Sequence, residues 1–164
     1  MIPPGEFGFS IDLTVRNEWK NIDLLRSSVQ NCFIAVFADL DGCHAVSMVT
    51  GELLENALKY GDWARDGRGM FRLRVTGTEP AIEVSVQNPL RADDPNAASL
   101  MSAIEWINGF VKPELAYRAK MLQIAQDASG PSGLGLVRIA FEGECRLSAV
   151  LESETVTVSA VLKR

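Results

Sequence analysis

Residues 44–61 read HAVSMVTGELLENALKYG, and the apolar side chains Val46, Val49, Leu53, Ala57 and Tyr60 recur along them as one stripe. A repeat near 3.6 residues with a single apolar face predicts an amphipathic helix over about 44–60, packed on a core and stopped by Gly61. Glu52 and Asn56 are four apart, so they stack on one side of that helix, and Lys59 continues the line. A carboxylate and an amide at the edge of a core can orient a water or hydroxyl. They can also hold a hydrated Mg²⁺, a hard ion that takes oxygen ligands and keeps several waters. The same spacing also suits a solvated helix face, and Glu55 with Lys59 reads as an ordinary surface pair.

Upstream, Phe7, Phe9, Ile11, Leu13 and Val15 alternate with Gly8, Ser10, Asp12, Thr14 and Arg16, the period-two pattern of a half-buried strand. Helical spacing of Leu24, Leu25, Val29, Cys32, Phe33, Val36 and Phe37 predicts a helix over about 17–40, with Asn17 or Asn21 as its N-cap and DLDGC (39–43) as its end. Downstream, the turn-rich GDWARDGRG precedes two strands, about 70–75 and 81–87, joined as a hairpin by TGTEP. NPLRADDPN breaks regular structure, and two helices follow at about 97–110 and 114–128, making a helical insertion over about 89–129. The first of these carries Met101, Ile104, Trp106, Ile107 and Phe110 on several sides, which fits either a core helix or a partner surface.

GPSGLGL at 130–136 then opens a short helix that Gly143 closes, before a last strand pair at about 145–151 and 155–162. Glycines at a helix entry let the backbone come close to an anion, and the first amides of the helix are free donors at the positive end of its dipole. No strand runs directly into this turn, as the dinucleotide fingerprint requires, and it lacks a P-loop lysine. The element order predicts one α/β domain over 1–164: a two-layer sandwich with helices on one face of a mixed, mainly antiparallel sheet.

Bulk properties narrow the function. A chain of 164 residues suits one core. The net charge of −5, with Lys and Arg scattered, argues against a sequence-independent nucleic-acid binder, which needs a basic patch to displace counterions. There is no apolar run of membrane length and no basic, apolar leader at the start, so a cytoplasmic protein is expected. Cys32, Cys43 and Cys145 match no metal or redox spacing and read as reduced, mostly buried thiols, while His44, the single histidine, has no partner motif.

GELLENALKYG resembles the N box, and GPSGLGL the second glycine box, of the GHKL or histidine-kinase-like ATPase superfamily, which includes gyrase, heat-shock chaperone ATPases, sensor histidine kinases and anti-sigma-factor serine kinases. The resemblance covers most of the chain. It implies the histidine-kinase-like ATPase fold, ATP and Mg²⁺ as ligands, Glu52 as the catalytic residue acting on the attacking water or hydroxyl, and Asn56 as the Mg²⁺ ligand. It places Asn56, Asn88, Gly133, Leu134, Gly135, Leu136 and Thr155 at the nucleotide and makes the insertion a lid. The family's first glycine box carries an Asp that binds the adenine amine; here Asn88 stands closest to it, with Pro89 and Leu90 where glycine is usual. An amide oxygen can still accept from that amine, without the charge that strengthens the bond.

No helical hairpin with an internal histidine precedes these motifs, which sets aside a complete sensor kinase. The chain is most similar to stand-alone anti-sigma-factor serine kinases of partner-switching systems. That similarity implies ATP-dependent phosphorylation of a serine or threonine on a STAS-type antagonist, with homodimerisation open. The alternative it leaves is a non-catalytic module that binds nucleotide or sequesters a partner.

Overall fold

The computed structural model describes residues 7–16, 22–63, 70–129 and 133–164. In chain order these form β1 (Gly8–Arg16), α1 (Ile22–Phe37), α2 (Leu40–Tyr60), β2 (Met70–Thr78), β3 (Ala81–Pro89), α3 (Pro95–Asn108), α4 (Pro113–Gln126), α5 (Leu134–Glu142), β4 (Cys145–Leu151) and β5 (Thr155–Lys163). The strands join in the order β1-β2-β3-β5-β4, and all four pairings are antiparallel.

Alternation decides which face of the sheet is covered. On β3 the residues Ile82, Val84, Val86 and Asn88 are buried, and on β5 so are Val156, Val158, Ala160 and Leu162. Each Val, Ile or Leu among them, taken from water, is worth about 1.5–3 kcal/mol. The intervening positions, such as Arg72, Arg74, Glu83 and Ser148, are exposed, so all the helices lie on one face and the fold is the expected two-layer sandwich. On the open face Asp12 bridges Arg72 at 2.5 Å and Arg74 at 3.3 Å, and the Arg72 hydrogen bond holds its carboxyl below the usual range.

One boundary differs from the sequence expectation. DLDGC does not end α1; it opens α2, which begins four residues before His44. α1 stops at Phe37, and Ala38 takes a left-handed conformation (φ 52°) that turns the chain. Asp39 then caps α2, its carboxylate accepting from the Gly42 amide at 3.0 Å. The candidate caps Asn17 and Asn21 lie outside the described residues.

The end of β3 is tied to the end of α2 and to the β4–β5 turn where the site is expected: the Asp62 amide donates to the Pro89 carbonyl at 2.7 Å, and the Leu90 amide to that of Glu154 at 2.9 Å. The insertion is built into the core at its first helix. Ala97, Ile104 and Ile107 of α3 and Ala116 of α4 are buried, and the Asn108 amide donates to the Leu147 carbonyl of β4 at 3.0 Å. Beyond Ala116, α4 is largely open, with Leu122 65% and Met121 43% exposed.

Candidate functional site

Burial of Leu53, Leu54 and Ala57 presses α2 onto the core and leaves Glu52 and Asn56 at its margin. α5 crosses beside that margin, entered through Gly133, whose left-handed φ of 60° is cheap only for glycine. Two residues on, Gly135 has no side chain where α2 comes closest. A Cβ there would stand 2.8 Å from Glu52 Oε2 and 3.5 Å from both amide atoms of Asn56. The two motifs, separated by a hairpin and two helices in the chain, thus meet at one bare backbone position.

Two cations missed by the sequence reading stand at this junction. Arg138 of α5 donates through Nη1 to Glu52 Oε1 at 2.6 Å, and through Nε and Nη2 to Glu142 at 3.2 and 3.3 Å. Its position was legible in principle: three residues after Gly135 on a helix, it shares the glycine's face. Lys120 of α4 reaches over Gly133, its Cε 2.9 Å and Nζ 3.0 Å from where a Cβ would be. No local pattern announces Lys120, because its place depends on how α4 docks.

Burial pushes the Glu52 carboxyl above its ordinary range, opposed by the Arg138 guanidinium and reinforced by the like charges of Glu55 and Glu142. A carboxyl with raised proton affinity and one oxygen turned to Gly135 is suited to take a proton from a hydroxyl. On its other side a cleft of about 390 Å³ opens between α1, α2 and α5, lined among others by Arg26, Gln30, His44, Ser47 and Arg138. His44 is exposed at this cleft.

Asn88 lies on the helix-facing side of β3, 5% exposed, with Nδ2 donating to the Pro89 carbonyl at 3.1 Å. Leu134 and Leu136 are partly buried and pack on the core. Thr155 is not brought to this group: it alternates with buried Val156, so it belongs to the open face, and its hydroxyl bonds Glu152 at 3.1 Å. Gly130, Pro131 and Ser132 lie outside the described residues.

Among the described residues no three His, Cys, Asp or Glu side chains converge as a metal cage. A Mg²⁺ that arrives with phosphates needs only one or two protein oxygens. The Asn56 amide and Glu52 carboxylate, both against the Gly135 cradle that a Cβ would fill, fit that requirement. The three cysteines are free, with Cys43 and Cys145 buried, and burial pushes the Cys145 thiol to about 12.

No family model matches the chain, and no curated protein matches it. Among solved structures, a chain in the crystal structure of the SiaB–SiaC complex from Pseudomonas aeruginosa has the same fold. The TM-score is 0.71 over 93% of this chain and 89% of that one, at 21% sequence identity. Among the described residues, no helix is long and apolar enough to cross a membrane.

Proposed function

We propose that this chain is an ATP-binding regulatory protein kinase that transfers a phosphoryl group to a serine or threonine of a STAS-type protein partner. The observation that carries the reading is the convergence of Glu52 and Asn56 on Gly135, which joins a carboxylate, an amide and a helix N-terminus at one point. Phosphates would lie on the α5 amides beyond Gly133, where the helix dipole favours negative charge, with Lys120 above them. Asn56 would hold Mg²⁺, which supplies charge neutralisation on the transferring phosphate. Glu52 accepts the proton of the partner's hydroxyl as its oxygen bonds the γ-phosphorus; the bond to the bridging oxygen breaks and ADP leaves. Asn88, buried on the helix side of β3, is the candidate reader of the adenine amine. A protein partner is further supported by the structural neighbour, which was solved as a complex of SiaB with SiaC.

The second reading is a module of the same fold that binds nucleotide or sequesters its partner without turnover, favoured by the uncharged Asn88 at the adenine position. Radiolabelled ATP with candidate STAS-domain proteins separates the two. Glu52→Gln should abolish transfer while nucleotide binding holds, and Asn56→Ala should weaken both. Label that persists in Glu52→Gln sinks the assigned base, and an acid-labile product moves the chain away from serine and threonine kinases.

A further inference from the structure

The geometry points to Arg138 as the positioning residue of the proposed transfer: clamped by Glu142, it grips one oxygen of Glu52 and so aims the other at Gly135 in the first turn of α5. This rests on the kinase reading above and adds to it a residue outside both sequence motifs.

The argument begins with the division of labour between the two oxygens of Glu52. Oε1 takes the Arg138 Nη1 hydrogen bond at 2.6 Å, while Oε2 lies 2.8 Å from where a Cβ of Gly135 would stand. A glutamate has three side-chain torsions, and left alone at the rim of a cleft it would sample several of them. Fixing one oxygen from α5 removes that freedom, and it does so from the same helix whose first amides would carry the phosphates. Base and phosphates are then referenced to one rigid element. Positioning of this kind is what phosphoryl transfer most needs, because the protein contributes mainly alignment and charge.

Arg138 is itself held. Its Nε and Nη2 meet Glu142 Oε1 and Oε2 at 3.2 and 3.3 Å, a two-pronged grip one helical turn further on. The fork geometry matters: a guanidinium can bond two carboxylates at once through different nitrogens, which a lysine ammonium does with less directional control. The other charged groups around Glu52 do not compete. Glu55 on its own helix repels it, and Arg26 and His44 line the cleft without a hydrogen bond to it. Arg26 instead pairs with Asp23 at 3.0 Å.

The experiment measures steady-state transfer from [γ-³²P]ATP to purified STAS-domain proteins by wild type, Arg138→Ala, Arg138→Lys and Glu142→Gln. Each variant is first shown to melt like wild type by circular dichroism. Arg138→Ala should lose at least tenfold in kcat with KM for ATP within twofold, since the loss is in alignment and not in nucleotide contact. Arg138→Lys should recover part of that loss, and Glu142→Gln should fall between wild type and Arg138→Ala. An unchanged kcat in Arg138→Ala overturns the inference. So does a raised kcat, which would mark the pair as a mask over the base, or a lysine variant no better than alanine. Absence of transfer by the wild type itself fails the kinase reading and takes this inference with it, a result distinct from a wild type that transfers and an Arg138→Ala that matches it.

Discussion

Gly135→Ala separates folding from function at a single atom. Gly135 is the second residue of α5, and alanine there should gain about 1 kcal/mol of helix propensity over glycine. Against this, the new Cβ would sit 2.8 Å from Glu52 Oε2, about 0.6 Å inside ordinary contact, and must drive the carboxylate back. Moving Glu52 loosens its pair with Arg138, which is 39% exposed; after allowance for solvent screening the loss is at most about 1 kcal/mol. The two effects nearly cancel, so the melting temperature should stay within about 3 °C of wild type, about 1 kcal/mol for a chain of this size. Mg-ATP binding should not survive as well. The methyl occupies the point where phosphate, Glu52 and Asn56 would meet, and affinity should drop at least about tenfold, or 1.4 kcal/mol. Circular dichroism melts beside isothermal titration measure both. Unchanged affinity would refute close approach of an anion at Gly135, and a fall in melting temperature beyond about 8 °C would show a packing position and not a site.

Four further outcomes rest on the same geometry. Asn88→Asp removes the donor to the Pro89 carbonyl and buries a carboxylate, so the ligand-free protein should lose about 1–3 kcal/mol. If the position reads an adenine amine, saturating ATP should restore more stability to the variant than to wild type, read as the shift in melting temperature. Burial holds the Glu52 carboxyl above its ordinary range in the folded state, so the native protein keeps that proton where the unfolded chain has lost it. Its contribution is whole below the unfolded midpoint and is lost as pH rises through the folded one. Glu52→Gln should therefore outmelt wild type by more at pH 8 than at pH 4, and equal differences at the two pH values would contradict the burial of its charge. Ile104→Ala should cost about 2–5 kcal/mol in urea unfolding, because α3 is core. Nucleotide-dependent slowing of hydrogen exchange is expected over 109–129 and not over 95–108, and uniform protection would set aside a moving lid.

Much of this was readable before any coordinates. The alternation of Ile82, Val84 and Val86 with Glu83 and Ser85 states both that β3 is a strand and which face is covered, and the stripe from Val46 to Ala57 does the same for α2. DLDGC misled because Asp and Gly serve either end of a helix, and only the Asp39 carboxylate on the Gly42 amide decides between them. Thr155, which the resemblance places at the nucleotide, lies instead on the open face, and its parity with apolar Val156 was a signal that could have shown it. The meeting of Glu52 with Arg138 was another matter, since the rotation and crossing of α5 against α2 depend on packing between distant segments. Lys120 was less legible still: α4 shows no clean apolar stripe, and Leu115, Met121 and Leu122 all remain exposed.

The pairing of β3 with β5, from Ala81 opposite Lys163 to Pro89 opposite Thr155, closes the centre of the sheet across α3, α4, α5 and β4. Such non-local pairing forms late, because chain entropy must be surrendered before the contacts return anything. Glu52 and Asn56 emerge from synthesis long before Gly135 and Arg138, so a growing or truncated chain that carries α2 has only half of the proposed phosphate site and no second half to meet it. A nucleotide seated between the halves would bind only the finished domain and would stabilise it by mass action. Occupancy would then report completed folding, and a protein so built would not engage its ligand prematurely on the ribosome.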